Sequence, residues 1–159
     1  MNHAIRHERV DSVQRLIDRG YDLNSRVDET RRTPLMVAAS EGNKKIVELL
    51  ADNGADMNLQ DRLGYTALHW AAYYNCGAVA EALAKRGASL NIEERKGFTP
   101  LILAAYYGHL GVVKALVEGG ARTDIEDKRG QTALDYAKQG GFSELEEYLV
   151  KAQNSGAAK

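Results

Sequence analysis

The chain has 159 residues, 44% hydrophobic and 27% charged, the composition of one folded globular domain and not of a disordered or fibrous chain. Lys plus Arg (21) nearly cancels Asp plus Glu (22), so no global positive field gathers nucleic acid or an anionic membrane surface, and neither is expected as a partner. No apolar run approaches the roughly 18 residues of a membrane helix, Met1 to Glu8 lack the apolar centre of a secretory signal, and the single cysteine, Cys76, has no partner for an internal disulfide; a cytoplasmic monomer is expected.

From the N-terminus, Ala4, Val13, Leu16, Gly20 and Asn24 stand thirty-four residues before Ala38, Val47, Leu50, Gly54 and Asn58, which makes residues 1–27 the degenerate first copy of a repeating unit. It lacks a helix-start signal, so its first helix is expected to be short. The extra residue falls within Arg26 to Arg32, where Arg31 replaces a glycine found in later copies, and a turn of different shape is expected there.

The register mark is then threonine. Thr33, Thr66, Thr99 and Thr132 recur every thirty-three residues, each followed by Pro or Ala and then Leu. Threonine suits an N-cap because its hydroxyl accepts from an otherwise orphaned backbone N–H. The only two prolines, Pro34 and Pro100, fall at the first helical position, where a fixed φ helps and the missing N–H is harmless. Each helix runs on through small residues, Ala38-Ala39, Ala71-Ala72 or Ala104-Ala105, which let a second helix approach closely. It ends at Gly42, Asn75, Gly108 or Gly141, Asn being the other residue that tolerates a left-handed turn. A second helix carries an apolar pair at i,i+4, Ile46/Leu50, Val79/Leu83, Val112/Leu116 or Leu145/Leu149, and the first three close at Gly54, Gly87 and Gly120. Short extended segments, Ala55 to Asn58, Ala88 to Asn91 and Ala121 to Asp124, lead into turns with glycine at 64, 97 and 130. The full copies therefore span about 28–60, 61–93, 94–126 and 127–153, with a disordered tail expected at 154–159.

Thr-Pro-Leu-x-x-Ala-Ala followed by Gly-Ala-Asp-Met-Asn resembles the ankyrin repeat, most closely in Thr66-Ala67-Leu68-His69-Trp70-Ala71-Ala72 and in Gly108-His109-Leu110-Gly111-Val112-Val113. The resemblance covers nearly the whole chain. It implies an all-α solenoid of stacked helix-turn-helix units with β-turn or hairpin loops, curved around a concave groove that binds a protein or an extended peptide. At the ends, Lys138 in place of an alanine and Glu144, Glu146 and Glu147 on the last helix fit a capping copy with a polar outer face. The weak start also allows these copies to be the ankyrin portion of a larger enzyme or channel with a regulatory or targeting role.

The candidate site begins with a doubled motif, Ala71-Ala72-Tyr73-Tyr74 and Ala104-Ala105-Tyr106-Tyr107. With Leu68 and the alanines on one arc of the helix, Trp70, Tyr73 and Tyr74 share the opposite arc, and Leu103, Tyr106 and Tyr107 repeat the arrangement. Tyr65 and Phe98 precede the two threonines. Tyr73, Tyr74, Tyr106 and Tyr107 read as contact surface, because the flanking copies carry Ser40-Glu41 and Gln139-Gly140 in that register. Trp70 reads as packing, its counterparts Val37, Leu103 and Tyr136 being large and apolar. Arg32, Arg62 and Arg95, with Lys96, Lys128 and Arg129, rim this patch at the turn tips. Glu93, Glu94, Glu126 and Asp127 lie beside them, so the rim reads as solvated, an acidic partner segment being the sharper alternative.

No phosphate-cradling glycine loop, serine elbow or paired His/Cys set appears, and no catalytic residue, cofactor or metal is expected. His3 and His7 at i,i+4 lack further ligands; His69 is expected to bond neighbouring backbone, as that position does in the ankyrin family; Cys76 reads as an ordinary thiol. Leu50 to Asn58 resembles a segment that an asparaginyl hydroxylase modifies in some ankyrin proteins, yet the same residues are ordinary architecture of the repeat.

Overall fold

In the computed structural model, which describes residues 1–156, every threonine of the register series opens a helix. The first helices of the copies are α1 (Asn2–Arg6), α3 (Pro34–Ser40), α5 (Ala67–Tyr73), α7 (Pro100–Tyr106) and α9 (Ala133–Gln139); the second helices are α2 (Val10–Asp18), α4 (Lys44–Asp52), α6 (Gly77–Lys85), α8 (Leu110–Glu118) and α10 (Ser143–Gly156). The four threonine hydroxyls accept the N–H of Met36, His69, Ile102 and Asp135 at 3.3, 3.4, 3.2 and 3.3 Å. As expected, α1 is short.

Each first helix packs on the first helix of the next copy, and each second helix on the next second helix, giving a two-layer, all-α stack with no strand among the described residues. The alanine pairs at 38–39, 71–72 and 104–105 are fully buried, as are Ile46, Leu50, Val79, Leu83, Val112 and Leu116 facing them, so one apolar core runs the length of the stack. A copy by itself leaves both flanks of this core open to water, so the neighbours stabilise it.

The turn between the two helices is left-handed at Gly42, Asn75, Gly108 and Gly141, with φ of 70°, 59°, 73° and 69°. The next residue then donates its N–H back to the first alanine of the pair, as Cys76 does to the Ala71 carbonyl at 2.8 Å. The segments expected to be extended instead contain turns at Met57-Asn58 and Leu90-Asn91 and a bend at Thr123. In the first of these, Asp56 Oδ1 accepts the Asn58 N–H at 2.9 Å, a local bond that short polar side chains offer in competition with extended backbone.

The first turn differs from the others, as expected: its closing backbone bond runs from the Val27 N–H to the Arg32 carbonyl at 2.9 Å, one residue longer than that from Asp61 to Tyr65 at 3.0 Å. Arg31 itself keeps the glycine's conformation, with φ 63° where Gly64, Gly97 and Gly130 hold 85°, 84° and 74°. Its N–H reaches the Asp28 carbonyl at 2.9 Å, as that of Gly64 reaches Asp61 at 3.1 Å. Asp28 Oδ1 also accepts the Arg32 N–H at 3.0 Å, as Asp61 Oδ1 accepts that of Tyr65 at 2.9 Å, so the acid closes the turn whatever stands at its left-handed position. The extra residue lies within the loop that Val27 and Arg32 close. One further expectation is corrected. At the other end Asn154, Ser155 and Gly156, expected in the tail, complete the last turn of α10, with the Ser155 hydroxyl donating to the Lys151 carbonyl at 2.9 Å. No glycine interrupts the helix after Ser143 until Gly156, and Ala152 and Gln153 are half-buried on the face that continues from Leu149. The remainder of that expected tail, 157–159, lies outside the described residues.

Candidate functional site

The first helices of the second and third full copies, α5 and α7, end in tyrosine. Tyr73 and Tyr106 are the last residues of α5 and α7, and Tyr74 and Tyr107 are their C-caps. Their exposures are 39%, 49%, 52% and 41%, respectively. They nevertheless touch one another in a line across two copies, with centroid separations of 4.9 Å from Tyr74 to Tyr73, 5.2 Å from Tyr73 to Tyr107 and 5.0 Å from Tyr107 to Tyr106, all edge to face. Trp70 and Tyr65 extend the line at one side, 6.1 Å from Tyr73 and 5.3 Å from Trp70. Phe98 extends it at the other, 5.8 Å from Tyr106. All seven aromatics singled out in the sequence thus form one surface.

An eighth ring joins them. Tyr136, legible in the sequence only as a packing position, lies 5.3 Å from Phe98 and 5.4 Å from Tyr106. A readable signal marked it. Nine residues separate Asp61 from Trp70 and Asp127 from Tyr136, and in both copies the ring donates to the acid: Trp70 Nε1 to Asp61 Oδ2 at 3.0 Å, the Tyr136 hydroxyl to Asp127 Oδ2 at 2.6 Å. Burial, and then this bond to Asp127, pushes the Tyr136 phenol up to about 12. Trp70 is half-buried against the core, as its packing role requires.

Between the turns at 94–98 and 127–131 the surface deepens into a cleft of about 440 Å³, within the ordinary range of small binding pockets. Tyr65, Phe98, Tyr106, Tyr107 and Arg95 line it together with Leu103, Tyr136 and Glu94; Tyr73, Tyr74 and Arg62 do not. This cleft therefore lies one copy further along than the doubled motif suggests. Tyr65 is partly a structural wedge, stacked on His69 at 5.3 Å, and burial, followed by the charge of Glu94, pushes its phenol up to about 12.

The turn-tip cations divide. Arg32 is committed within the fold: its Nε donates to Asp28 Oδ2 at 2.7 Å and its guanidinium lies 5.1 Å from the Trp70 ring centroid. Arg62, Arg95, Lys96, Lys128 and Arg129 are exposed and make no ion pair among the described residues. The acids read as their counterweight divide too. Glu94 and Asp127 are buried and accept backbone N–H groups of their own turns, while Glu93 and Glu126 are exposed and stand outside the cleft lining.

Comparison with known proteins agrees with the geometry. The family described as "Ankyrin repeats (3 copies)" matches residues 1–94, more than half of the chain, and "Ankyrin repeats (many copies)" matches residues 83–137. This chain belongs to the ankyrin repeat family. It is 37% identical over 73 residues to the human SH3 and multiple ankyrin repeat domains protein 2, covering 45% of this chain and 4% of that protein. It is 43% identical over 65 residues to serine/threonine-protein kinase 12 of Arabidopsis thaliana, covering 41% of this chain and 14% of the kinase. It is 33% identical over 64 residues to phosphocholine transferase AnkX of Legionella pneumophila, covering 40% and 7%. The chain thus spans only a small fraction of these relatives, and what is shared is the ankyrin portion, a module that generally binds protein.

The ankyrin motif residues outside the groove have structural partners. His69 is fully buried; its Nδ1 accepts the Thr66 N–H at 3.1 Å and its Nε2 donates to the Phe98 carbonyl of the next ankyrin repeat at 2.9 Å. Asn24, Asn58 and Asn91 each accept, through Oδ1, an N–H one repeat further on, from Asp56, Ser89 and Arg122 at 2.8, 2.9 and 3.0 Å. The Asn58 side chain is accordingly part of an inter-repeat ladder. Burial pushes the Cys76 thiol up, away from the reactive thiolate. The His3 and His7 rings lie 4.3 Å apart, and among the described residues no three or more His, Cys, Asp or Glu side chains converge on a common point. No helix among the described residues is long and apolar enough to cross a membrane.

Proposed function

We propose that this ankyrin stack is a non-enzymatic interaction module that docks a protein or an extended peptide on its concave face, working as a cytoplasmic monomer without cofactor or metal. The observation that carries the reading is the line of four exposed, mutually touching tyrosines. The fold does not require them, since the flanking repeats place Ser40-Glu41 and Gln139-Gly140 in the same register. Exposed tyrosine held rigidly by its neighbours supplies contact area at little entropic cost, the property that concentrates it at binding hot spots. The partner contacts assigned on this reading are Tyr65, Tyr73, Tyr74, Phe98, Tyr106 and Tyr107, with Arg62 and Arg95 at the rim; Arg32 is removed from the set by its bond to Asp28.

The test replaces Tyr73, Tyr74, Tyr106 and Tyr107 together with Ala and compares affinity capture with the unmodified chain by mass spectrometry. Circular dichroism and urea unfolding confirm that the variant folds. Specific partners are expected to disappear; a folded variant that retains all of them refutes the groove reading. A second reading draws on the small share of each relative that the chain spans: the stack is the ankyrin portion of a larger enzyme or channel, with a regulatory or targeting role. The length of the native open reading frame decides between them.

A further inference from the structure

The repeats of one chain serve as internal comparisons. In the copies opened by Asp61 and Asp127, the first carboxylate oxygen closes the turn and the second receives a hydrogen bond from a ring nine residues on, Trp70 or Tyr136. Val37, nine residues after Asp28, is no ring, but Arg32 Nε donates to Asp28 Oδ2 there at 2.7 Å. Glu94 closes its turn in the same way, its Oε1 accepting the N–H groups of Lys96 and Phe98 at 2.7 and 3.1 Å. The residue nine positions on is Leu103, which has neither a ring nor a donor, and Glu94 Oε2 receives no hydrogen bond among the described residues. The cleft of about 440 Å³ opens against Leu103 and Glu94. Glu94 Oε2 keeps contact with solvent, so water reaches it in the free protein and a donor brought by a guest takes the place of that water.

The mouth of the cleft is charged. The Lys128 N–H donates to the Lys96 carbonyl at 3.1 Å, so the tips of the two turns touch and hold Arg95-Lys96 beside Lys128-Arg129. All four side chains line the cleft, all are exposed, and none forms an ion pair among the described residues. The corresponding tip residues are Glu29-Thr30 and Arg62-Leu63 in the two preceding turns, so positive charge is concentrated at this cleft. An ammonium or guanidinium guest is disfavoured by these cations. The rings of Phe98, Tyr106 and Tyr136 also lie 5.3 to 5.8 Å from one another, so they fill the space between their faces and leave no cage around a cation.

Resting on the groove reading, we infer that the cleft receives one tryptophan or tyrosine side chain of an acidic, extended peptide. The N–H or O–H of the guest donates to Glu94 Oε2 where Trp70 and Tyr136 donate to their own acids. Carboxylates flanking the guest residue pair with Arg95, Lys96, Lys128 and Arg129 at the mouth. The bound peptide thereby completes the aromatic surface in the copy whose acid has neither a ring nor an arginine as donor to its second oxygen.

The experiment measures fluorescence anisotropy of short labelled peptides in a Gly-Ser background, with a central Trp or Ala and flanks of Glu, Lys or Ser, alongside single-stranded oligouridine. The Trp peptide with Glu flanks is expected to bind, and more weakly as salt rises. Leu103→Trp installs the side chain that stands at position 70 and fills the cleft from within; it is expected to weaken binding at least about tenfold while the thermal midpoint is held or raised. A combined R95E, K96E, K128E and R129E variant, whose substituted side chains are all exposed, is expected to lose affinity for the Glu-flanked peptide by about tenfold as well. Equal binding of the Ala-centred or Lys-flanked peptide, tighter binding of oligouridine, or undiminished binding by a folded Leu103→Trp variant overturns the inference. Equal binding of the Ser-flanked peptide overturns its charged half. Cellular partners captured by the unmodified chain separate the two readings: if they are lost from the four-tyrosine variant while no Trp peptide binds, the groove stands and this inference falls.

Discussion

His69 ties the turn before α7 to the core, and its protonation should be measurable as stability. The imidazole has no exposed surface, and burial holds it down to about 4 from an ordinary 6.5, with the bond to the Phe98 carbonyl pulling the other way. The geometry supports that direction: Nδ1 accepts from the Thr66 N–H and hydroxyl at 3.1 and 2.9 Å, and a proton placed there would face a donor. The folded-state value lies below the unfolded one, so the unfolded chain binds the proton first and stability falls as pH drops from about 6.5 through about 4, levelling off below that. At pH 4.5 the loss is about 2.5 kcal/mol, and it approaches about 3.4 kcal/mol at lower pH. Urea unfolding at pH 7.5 and pH 4.5 tests this in the unmodified chain and in His69→Gln. The variant starts less stable, having lost the bond to the next repeat, but its own decline between the two pH values should be smaller by about 2.5 kcal/mol at unchanged m-value. Equal declines, or an NMR titration of the His69 ring near its ordinary 6.5, refute the argument.

Glu8 and Arg31 hold left-handed φ of 52° and 63° without being glycine. Glu8→Gly and Arg31→Gly should each raise stability by about 0.5–1 kcal/mol in urea unfolding, the relief of side-chain crowding exceeding the added chain entropy. Gly97 differs from Gly130 although both turn left-handed: a Cβ on Gly97 would lie 2.9 Å from the Lys128 backbone nitrogen, and one on Gly130 meets only the end of the Glu126 side chain at 3.8 Å. Gly97→Ala should therefore cost about 3 kcal/mol against about 1 kcal/mol for Gly130→Ala, compared by thermal melts of the two variants. Tyr136→Phe removes a donor from the buried Asp127 and should cost about 2 kcal/mol. Burial acts to raise the Asp127 carboxyl, and the bonds from Tyr136, Gln131 and Arg129 override it and hold the group below 3.8. Its contribution is present above that ordinary value and is lost as pH falls through the lower folded one, so the variant should unfold in acid at a higher pH than the unmodified chain.

The stack itself is local, and the sequence by itself determined it. Cap, alanine pair, left-handed turn and apolar second helix each depend on residues within one turn of one another, and a period of thirty-three repeats that information until chance is excluded. The four tyrosines were legible for the same reason, because a helix places i, i+3 and i+4 on a known arc. Arg31 turns left-handed within a turn that Asp28 closes locally, and Asn154 to Gly156 stay helical because the helix continues unbroken along the face that packs on the stack. Where only the tertiary structure decided, contacts between copies were at work. Arg32 is a fold residue because Trp70, one copy away, offers its ring face. The cleft is likewise a difference between neighbours: Leu103 is an ordinary apolar residue within its own helix, and becomes an opening only beside Tyr136 and above a carboxylate that its counterparts satisfy. Such vacancies depend on which side chains meet across thirty residues of intervening chain, and periodicity carries no information about that.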